Sequence, residues 1–399
     1  MTVHLAAIER FEAGDVLCRR PHTLWISPTL TLAGFGRLLR LDPGAGRTRF
    51  ERARWLFAEW AAREGRAGPD LPGPFAFASF SFDADSPQSV VVVPELVVAH
   101  QGDTTWAIRH GHGELSMLDH PAGSGAHPSD RPRFAGSSLP DHLWLEAVAT
   151  ARKRIEDGDL EKVVLARDHA LWSKEPFSLH RVLERLHRSF PECYTYSIEG
   201  LVGASPELLI RRSARHVQSQ ALAGSIRRDP DPVEDARLGE QLLSSAKDLH
   251  EHALAAASVG GALGAVCRLL DRSPSPQLLK LANVQHLATG FHGVLGEDRH
   301  VLELVAMLHP TAAVGGTPTA PALDLIRQLE GMDRGRYAGP VGVFNAAGDG
   351  EFAIALRCAE VSGARARLFA GAGLVRDSVP EDELEETRLK LRAMLSALE

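Results

Sequence analysis

The chain has 399 residues, 44% of them apolar and 24% charged, and a net charge of −7. This is a globular composition, long enough for one large domain or two ordinary ones, and its acidic balance argues against the basic stripe of a nucleic-acid binder. No run of about 18 apolar residues offers a membrane span, and Glu9 and Arg10 interrupt the apolar stretch a signal peptide needs. Cys18, Cys193, Cys267 and Cys358 are far apart with no CxxC pair, as expected of reduced thiols. The expected location is the cytoplasm, with no membrane partner.

In chain order, a helix-like stretch at 51–63 lies among short β-type runs, FAFASFSFD (Phe75 to Asp83) and VVVVPELVV (Val90 to Val98). Residues 119–140 are rich in Pro, Gly and Ser and read as an exposed loop. Asp141 can cap a helix running to about Asp157, with Trp144, Val148, Ala151 and Ile155 on one face and Gly158 ending it. VVLARDHAL (Val163 to Leu171) predicts a strand. YTYSIEGLVGASPELLIRR (Tyr194 to Arg212) predicts two strands turning at Glu199-Gly200. One long helix is expected from about Pro232 to Ser258. Strands follow in VGVFNA, EFAIALRCAEV and ARLFAGAGLV. A last helix runs from about Pro380 to Leu398, with Leu384, Leu391, Leu395 and Leu398 as its buried stripe. Helices and hairpins alternate without a βαβ rhythm, so the fold class is α+β.

Two acidic pairs carry the first chemical signal. Asp248 with Glu251 and Glu383 with Glu386 are each spaced i, i+3, which puts two carboxylates on one helical face. Such pairs are mostly solvated surface, but two facing helices bearing hard oxygen ligands could cradle Mg²⁺. Lys162 opens an apolar strand, where desolvation could make it a general base. Glu207, between a Pro and an apolar run in GASPELLI, could be a half-buried general acid. ALAGSIRR (Ala221 to Arg228), AAVGGTP (Ala312 to Pro318) and FAGAGLV (Phe369 to Val375) read as small-residue loops whose amides can approach a carboxylate. The AGAG run lacks the third glycine and the βαβ frame of a dinucleotide site. Arg357, expected on a strand, could clamp a carboxylate. His250 and His252 point apart on a helix, so they do not make a zinc site.

Ten segments in order resemble the chorismate-utilising enzymes, and within them the isochorismate synthases: EKVVLAR, GASPELLI, ALAGS, KDLHEH, NVQHLAT, LHPTAAVGGTP, RYAGPVG, GEFAIALRCAE, FAGAGLV and EETRLKL. The likeness covers roughly residues 141–399, and the first 118 residues resemble the family only weakly. It implies one α+β unit over 1–399, with two packed, mainly antiparallel sheets surrounded by helices. Residues 1–118 would be a variable part, 119–140 a loop and 141–399 the catalytic core. By motif, Glu251 and Glu386 would hold Mg²⁺, supported by Asp248 and Glu383, and the ion would bind the ring carboxylate of chorismate with help from Lys390. Tyr337, Arg357 and the amides around Gly371 and Gly373 match positions that bind the enolpyruvyl carboxylate. His286 and Thr289 would line the ring site, together with Gly224 and Ser225 of the ALAGS segment. Lys162 matches the base that activates water, and Glu207 the acid that protonates the departing C4 hydroxyl.

Relatives that use ammonia have Gln at the Lys162 position, or Lys where this chain has Ala223, and the first of these need a glutaminase partner. Here water is the implied nucleophile, no glutaminase subunit is expected, and the chain would work as a monomer or weak homodimer. Salicylate synthases share the lysine base but tend to have Thr where this chain has Ala313, which isochorismate synthases share. Val343 and the single Pro of HPTAAV depart from the usual family pattern. The remaining alternative is an inactive relative kept for binding.

Overall fold

The computed structural model describes residues 4–7, 17, 19–64, 73–110 and 131–399. Among the described residues are eight helices: α1 (Arg49–Glu64), α2 (Asp141–Glu156), α3 (Leu179–Ser189), α4 (Pro232–Ser244), α5 (Ala246–Gly264), α6 (Val301–Leu308), α7 (Thr319–Leu329) and α8 (Pro380–Leu398). The strands form two antiparallel sheets, as the α+β reading expected.

The larger sheet has twelve strands. Across it run His4–Ala7, Thr104–Arg109, Leu96–Gln101, Thr31–Phe35, Thr23–Ile26, Tyr194–Ile198, Leu201–Ser205, Cys358–Ser362, Arg365–Leu374, Lys162–Trp172 and Gly316–Thr317. Arg133–Gly136 pairs with the far half of the Lys162 strand. The ten-stranded sheet runs Cys267–Arg272, Val284–Leu295, His216–Arg227, Leu208–Ser213, Gly350–Ile354, Pro340–Asn345, Phe75–Ser79, Val90–Val93 and Leu39–Leu41, with Gln277–Lys280 also on the Val284 strand. The apolar run of the Lys162 strand fits its burial: its first seven residues are shielded on both faces.

One core joins the sheets. Trp25, Leu165 and Tyr196 of the larger sheet belong to the same cluster as Phe77, Ile210 and Phe352 of the smaller. Trp25 Nε1 donates across to Glu351 Oε2 at 3.0 Å. A second cluster packs α3 and α8 on the larger sheet, with Leu183, Leu186, Leu391 and Met394 against Val202 and Leu368. Burial of Leu384, Leu391 and Leu398 contributes roughly 1.5–3 kcal/mol each. That anchors α8 although Glu383 and Thr387 are buried with them.

Several expectations need correction. Pro140, not Asp141, precedes α2, and Asp141 instead accepts from Arg388 at 2.5 Å and from Arg167. The long helix over 232–258 is two, α4 and α5. Ser245 is extended between them and caps α5 by accepting from the Asp248 amide. The run 194–212 holds three strands, because Pro206 and Glu207 lead the chain out of the larger sheet and into the smaller. EFAIALRCAEV likewise divides at Arg357 between Gly350–Ile354 and Cys358–Ser362. ALAGSIR is strand, not loop, and FAGAGL lies in the strand that ARLFAGAGLV predicted rather than in a loop. Of the expected 119–140 loop, residues 119–130 lie outside the described residues and Arg133–Gly136 is strand. Leu395 is only half-buried, and Ala393, Met394 and Ala397 complete the α8 stripe. Cys193, Cys267 and Cys358 are free thiols. No described helix is long and apolar enough to cross a membrane.

Candidate active site

A cavity of about 710 Å³, counted to its open mouth, is lined by strands of both sheets and by α5 and α8. Its walls include Glu207, Gly224, Ser225, Glu251, His286, Ala313, Tyr337, Arg357, Gly371, Gly373, Glu386 and Lys390, twelve of the sixteen residues expected from sequence. Lys162, Asp248, Thr289 and Glu383 are not on that surface.

Glu207 sits on the crossing between the sheets, held by its amide to Ser205 Oγ at 3.2 Å. Burial pushes its carboxyl up to about 8, against the opposing pull of the Leu222 N–H and of the charges on Lys162 and Lys390. It is therefore mostly protonated at neutral pH, and its Oε1 has no hydrogen-bond partner. A neutral buried carboxyl on a cavity wall can give up a proton.

Lys162 is fully buried behind Glu251 of α5, with Nζ 3.0 Å from Glu251 Oε1. The contact is close, but its angles fall outside hydrogen-bond geometry, so the ammonium has no aligned acceptor. Gly373 makes this approach possible. A Cβ there would lie 2.0 Å from Glu251 Oε1 and 3.3 Å from Lys162 Cε. Gly224 (φ +76°) forms the bulge between Ala223 and Ser225 that turns Ser225 towards His286.

The acidic helices meet as expected, but each of three carboxylates has a lysine. Glu251 pairs with Lys162, Glu383 with Lys247 at 2.7 Å, and Glu386 with Lys390 at 2.5 Å. Burial would raise Glu386, but the Lys390 ammonium, joined by Lys247 and the Ser225 hydroxyl, holds the carboxyl below its ordinary range. Burial and the charge of Glu386 push Glu383 upward. Burial also raises Asp248, with Glu251 and Glu386 adding to it and Ser245 and Lys247 opposing. Among the described residues no three His, Cys, Asp or Glu side chains approach as a ready metal cage. The donor set is nonetheless all carboxylate, and the mutual repulsion in it fits a hard divalent cation that keeps its waters.

Arg357 lies between two strands with a left-handed backbone (φ +47°), a strained position for a non-glycine residue. Its Nη2 is 3.1 Å from His286 Nε2. Arginine only donates, so Nε2 accepts and the ring proton is on Nδ1, 3.1 Å from Ser225 Oγ and 3.4 Å from the Gly224 carbonyl. The Ser225 hydroxyl in turn donates to Glu386 Oε1 at 3.2 Å. Burial and the charges of Arg357 and Lys390 keep His286 neutral. Lys390 Nζ also donates to the Gly371 carbonyl at 2.8 Å, and Tyr337 stacks on Phe369 at 5.0 Å. Thr289 stands outside the cavity, its Oγ1 2.6 Å from Nε2 of the buried His252. His250 faces solvent, so the two histidines do point apart.

Sequence reasoning missed Lys247, Phe369 and Arg334. Arg334 had no signal, because its partners include backbone oxygens far away in the chain. Of the departures from the family pattern, Val343 is buried in the core away from the cavity. Ala312 uses the N–H that a proline would lack to donate to Ser258 Oγ at 3.3 Å.

The fold and this cavity define a chorismate binding enzyme: that family matches residues 3–399, and the chain belongs to it. Within the family the chain is similar to the salicylate biosynthesis isochorismate synthase of Pseudomonas aeruginosa, 37% identical over 95% of this chain and 85% of that one. It is 41% identical to isochorismate synthase MenF of Bacillus subtilis over 66% of this chain, a match spanning 57% of that relative's length. The solved structure of MenF, the menaquinone-specific isochorismate synthase of Escherichia coli, superposes with a TM-score of 0.83 at 25% identity, covering 100% of this chain and 95% of that one.

Proposed function

We propose that the chain is an isochorismate synthase: it converts chorismate to isochorismate by adding water at C2 and expelling the C4 hydroxyl. The observation that carries this reading is Glu207, a carboxyl kept protonated near neutral pH on the wall of a cavity rich in fixed cations. Lys162 is the base. It takes a proton from water as the C2–O bond forms and the ring double bonds shift. Glu207 gives its proton to the C4 oxygen, which leaves as water, so the reaction is a net isomerisation. Exchange with solvent returns the proton from Lys162 and restores Glu207.

Arg357 and Tyr337, with the amides of Gly371 and Gly373, hold the enolpyruvyl carboxylate. His286, Gly224 and Ser225 border the ring, and Thr289 acts from behind through His252. Lys390 and the α5–α8 carboxylates belong to the ring-carboxylate end. Glu251 and Glu386 would hold Mg²⁺ with Asp248 and Glu383 in support, and the bound ion would supply the positive charge that restrains this dianionic substrate. With water as nucleophile, no ammonia-supplying glutaminase subunit is needed. A monomer or weak homodimer working in the cytoplasm completes the proposal.

The test is incubation with chorismate, with and without Mg²⁺, followed by chromatography. Isochorismate with little salicylate, formed only with the ion, is the expected result. Salicylate and pyruvate in equal amounts as the main products would make the chain a salicylate synthase. No turnover under any condition would leave a binding protein.

A further inference from the structure

We propose that the buried pair Arg334–Glu330 is a positioning device that sets the gap between the Lys162 strand and the Ala313 wall of the cavity. The proposal rests on the functional reading above for its kinetic arm only. Both side chains are almost wholly buried. Arg334 Nε donates to Glu330 Oε2 at 2.9 Å, and Nη2 also reaches the same carboxylate. The remaining donors go to main chain. Nη2 donates to the Val164 carbonyl at 2.7 Å and Nη1 to the Val314 carbonyl at 2.8 Å. Glu330 Oε1 accepts from the Ala166 amide at 2.7 Å.

Two adjoining pieces of the site, already joined where the Val164 amide donates to the Gly315 carbonyl at 2.9 Å, thus share one clamp. Val164 and Ala166 follow Lys162 on its strand, and Val164 itself lines the cavity. Val314 follows Ala313, and both line the cavity. The loop is fixed from its other side by the Ala312 amide on Ser258 Oγ, so Ala313 is carried between two anchors. Phe82 closes one face of the guanidinium at 4.2 Å. Planar, forked geometry is needed to reach a carboxylate and two carbonyls on different segments at once, and lysine cannot reproduce it. Arg334 also borders the cavity, and its carbonyl accepts from the Tyr337 amide at 3.0 Å, but the side-chain bonds of the pair all go to each other, the strand and the loop, and through these it acts.

The experiment compares Arg334→Lys and Glu330→Gln with the full-length parent. Arg334→Lys keeps the buried positive charge. Glu330→Gln keeps an acceptor for the Ala166 amide but loses the charge that balances Arg334. Hydrogen exchange read by mass spectrometry should show faster exchange in both variants over 162–167 and 312–317 together, with α8 unchanged. In the kinetic arm, kcat per folded molecule should fall roughly 10- to 100-fold, as a misplacement of about 1 Å costs. KM for chorismate should stay within about threefold. Folded variants with parental exchange in both segments, or exchange raised in one segment only, would overturn the clamp. Parental kcat with raised exchange would overturn its role in positioning. A parent that does not turn over chorismate defeats the functional reading and leaves the exchange result to decide the clamp alone.

Discussion

Two carboxyls on one cavity wall, Glu207 and Glu386, end in opposite protonation states. Glu207, on the crossing between the sheets, makes no ion pair among the described residues, and burial keeps its proton on up to about 8. Glu251 and Glu386, on α5 and α8, each have a lysine within about 3 Å, and Lys390 holds Glu386 ionised. Burial alone therefore does not set the role of an acidic residue. Glu386 is a carboxylate because its cations outweigh burial, whereas Glu383 is pushed upward despite Lys247, and Glu207, with no ion pair, stays an acid.

Breaking the ionised side should have the largest effect. Glu386→Gln removes a hard ligand and the partner of Lys390, and turnover should fall below detection at limiting Mg²⁺ while circular dichroism stays parental. Near-normal activity there would remove Glu386 from the metal site. Breaking the neutral side comes next. Glu207→Gln should cost about 10² to 10⁴ in kcat, the range of an acid–base group. The parent's kcat/KM should fall as pH rises through about 8, where Glu207 ionises in the free enzyme, and that limb should vanish in the variant.

The same residue makes a sharper test through stability. In the folded chain Glu207 keeps its proton to about 8, against 4.5 for an ordinary glutamate. Between those values the folded state binds more protons than the unfolded one, so its stability falls as pH rises. Each tenfold in acidity is worth about 1.4 kcal/mol, so the ionised residue costs the fold up to about 5 kcal/mol. Glu207→Gln should accordingly be more stable than the parent at pH 8 and gain little at pH 4.5, measured by urea unfolding. Equal stabilities at both pH values would mean Glu207 is not held protonated.

Much of this was legible before the structure. The i, i+3 pairs, the strand-opening lysine and the Pro-Glu step in GASPELLI each state a local fact, and helix period or strand burial carries it into three dimensions. What was not legible depends on residues distant in sequence. Arg334 works through the carbonyls of Val164 and Val314, which no side-chain pattern reports. Nothing near Arg357 announced that the chain would divide there into two strands. Ser245 did carry a signal, a serine three residues before Asp248, but the apolar period runs on through it and hid the break between α4 and α5. That break starts a new helix whose first turns carry Asp248 and Glu251.

Gly373→Ala probes the contact between Glu251 and Lys162. The added methyl would overlap Glu251 Oε1 and press on Lys162, and neither backbone strand can yield without breaking the ladder that pairs Gly373 with Val164. Activity should drop by roughly 10² through displacement of these two side chains, with the pH limb of Glu207 unmoved. A shifted limb would show that this contact and Glu207 are not separable.

The smallest expected effect is on product choice. Ala313 lines the cavity between the anchors at Ala312 and Val314. Elimination of pyruvate from isochorismate needs the C2 hydrogen to reach the enolpyruvyl methylene in a compact, chair-like arrangement. Alanine leaves the enolpyruvyl group room to swing away, whereas threonine would press it towards that geometry. Restricting a flexible reactant raises the share of near-attack conformers. Ala313→Thr should therefore raise the salicylate fraction by on the order of a few-fold while leaving both the Mg²⁺ requirement and the limb near pH 8 in place. Chromatography of products over time, corrected for spontaneous decay, gives the ratio. If the ratio did not move, the wall at Ala313 would not govern product choice, and the difference between the two activities would have to lie with the groups that hold the enolpyruvyl carboxylate.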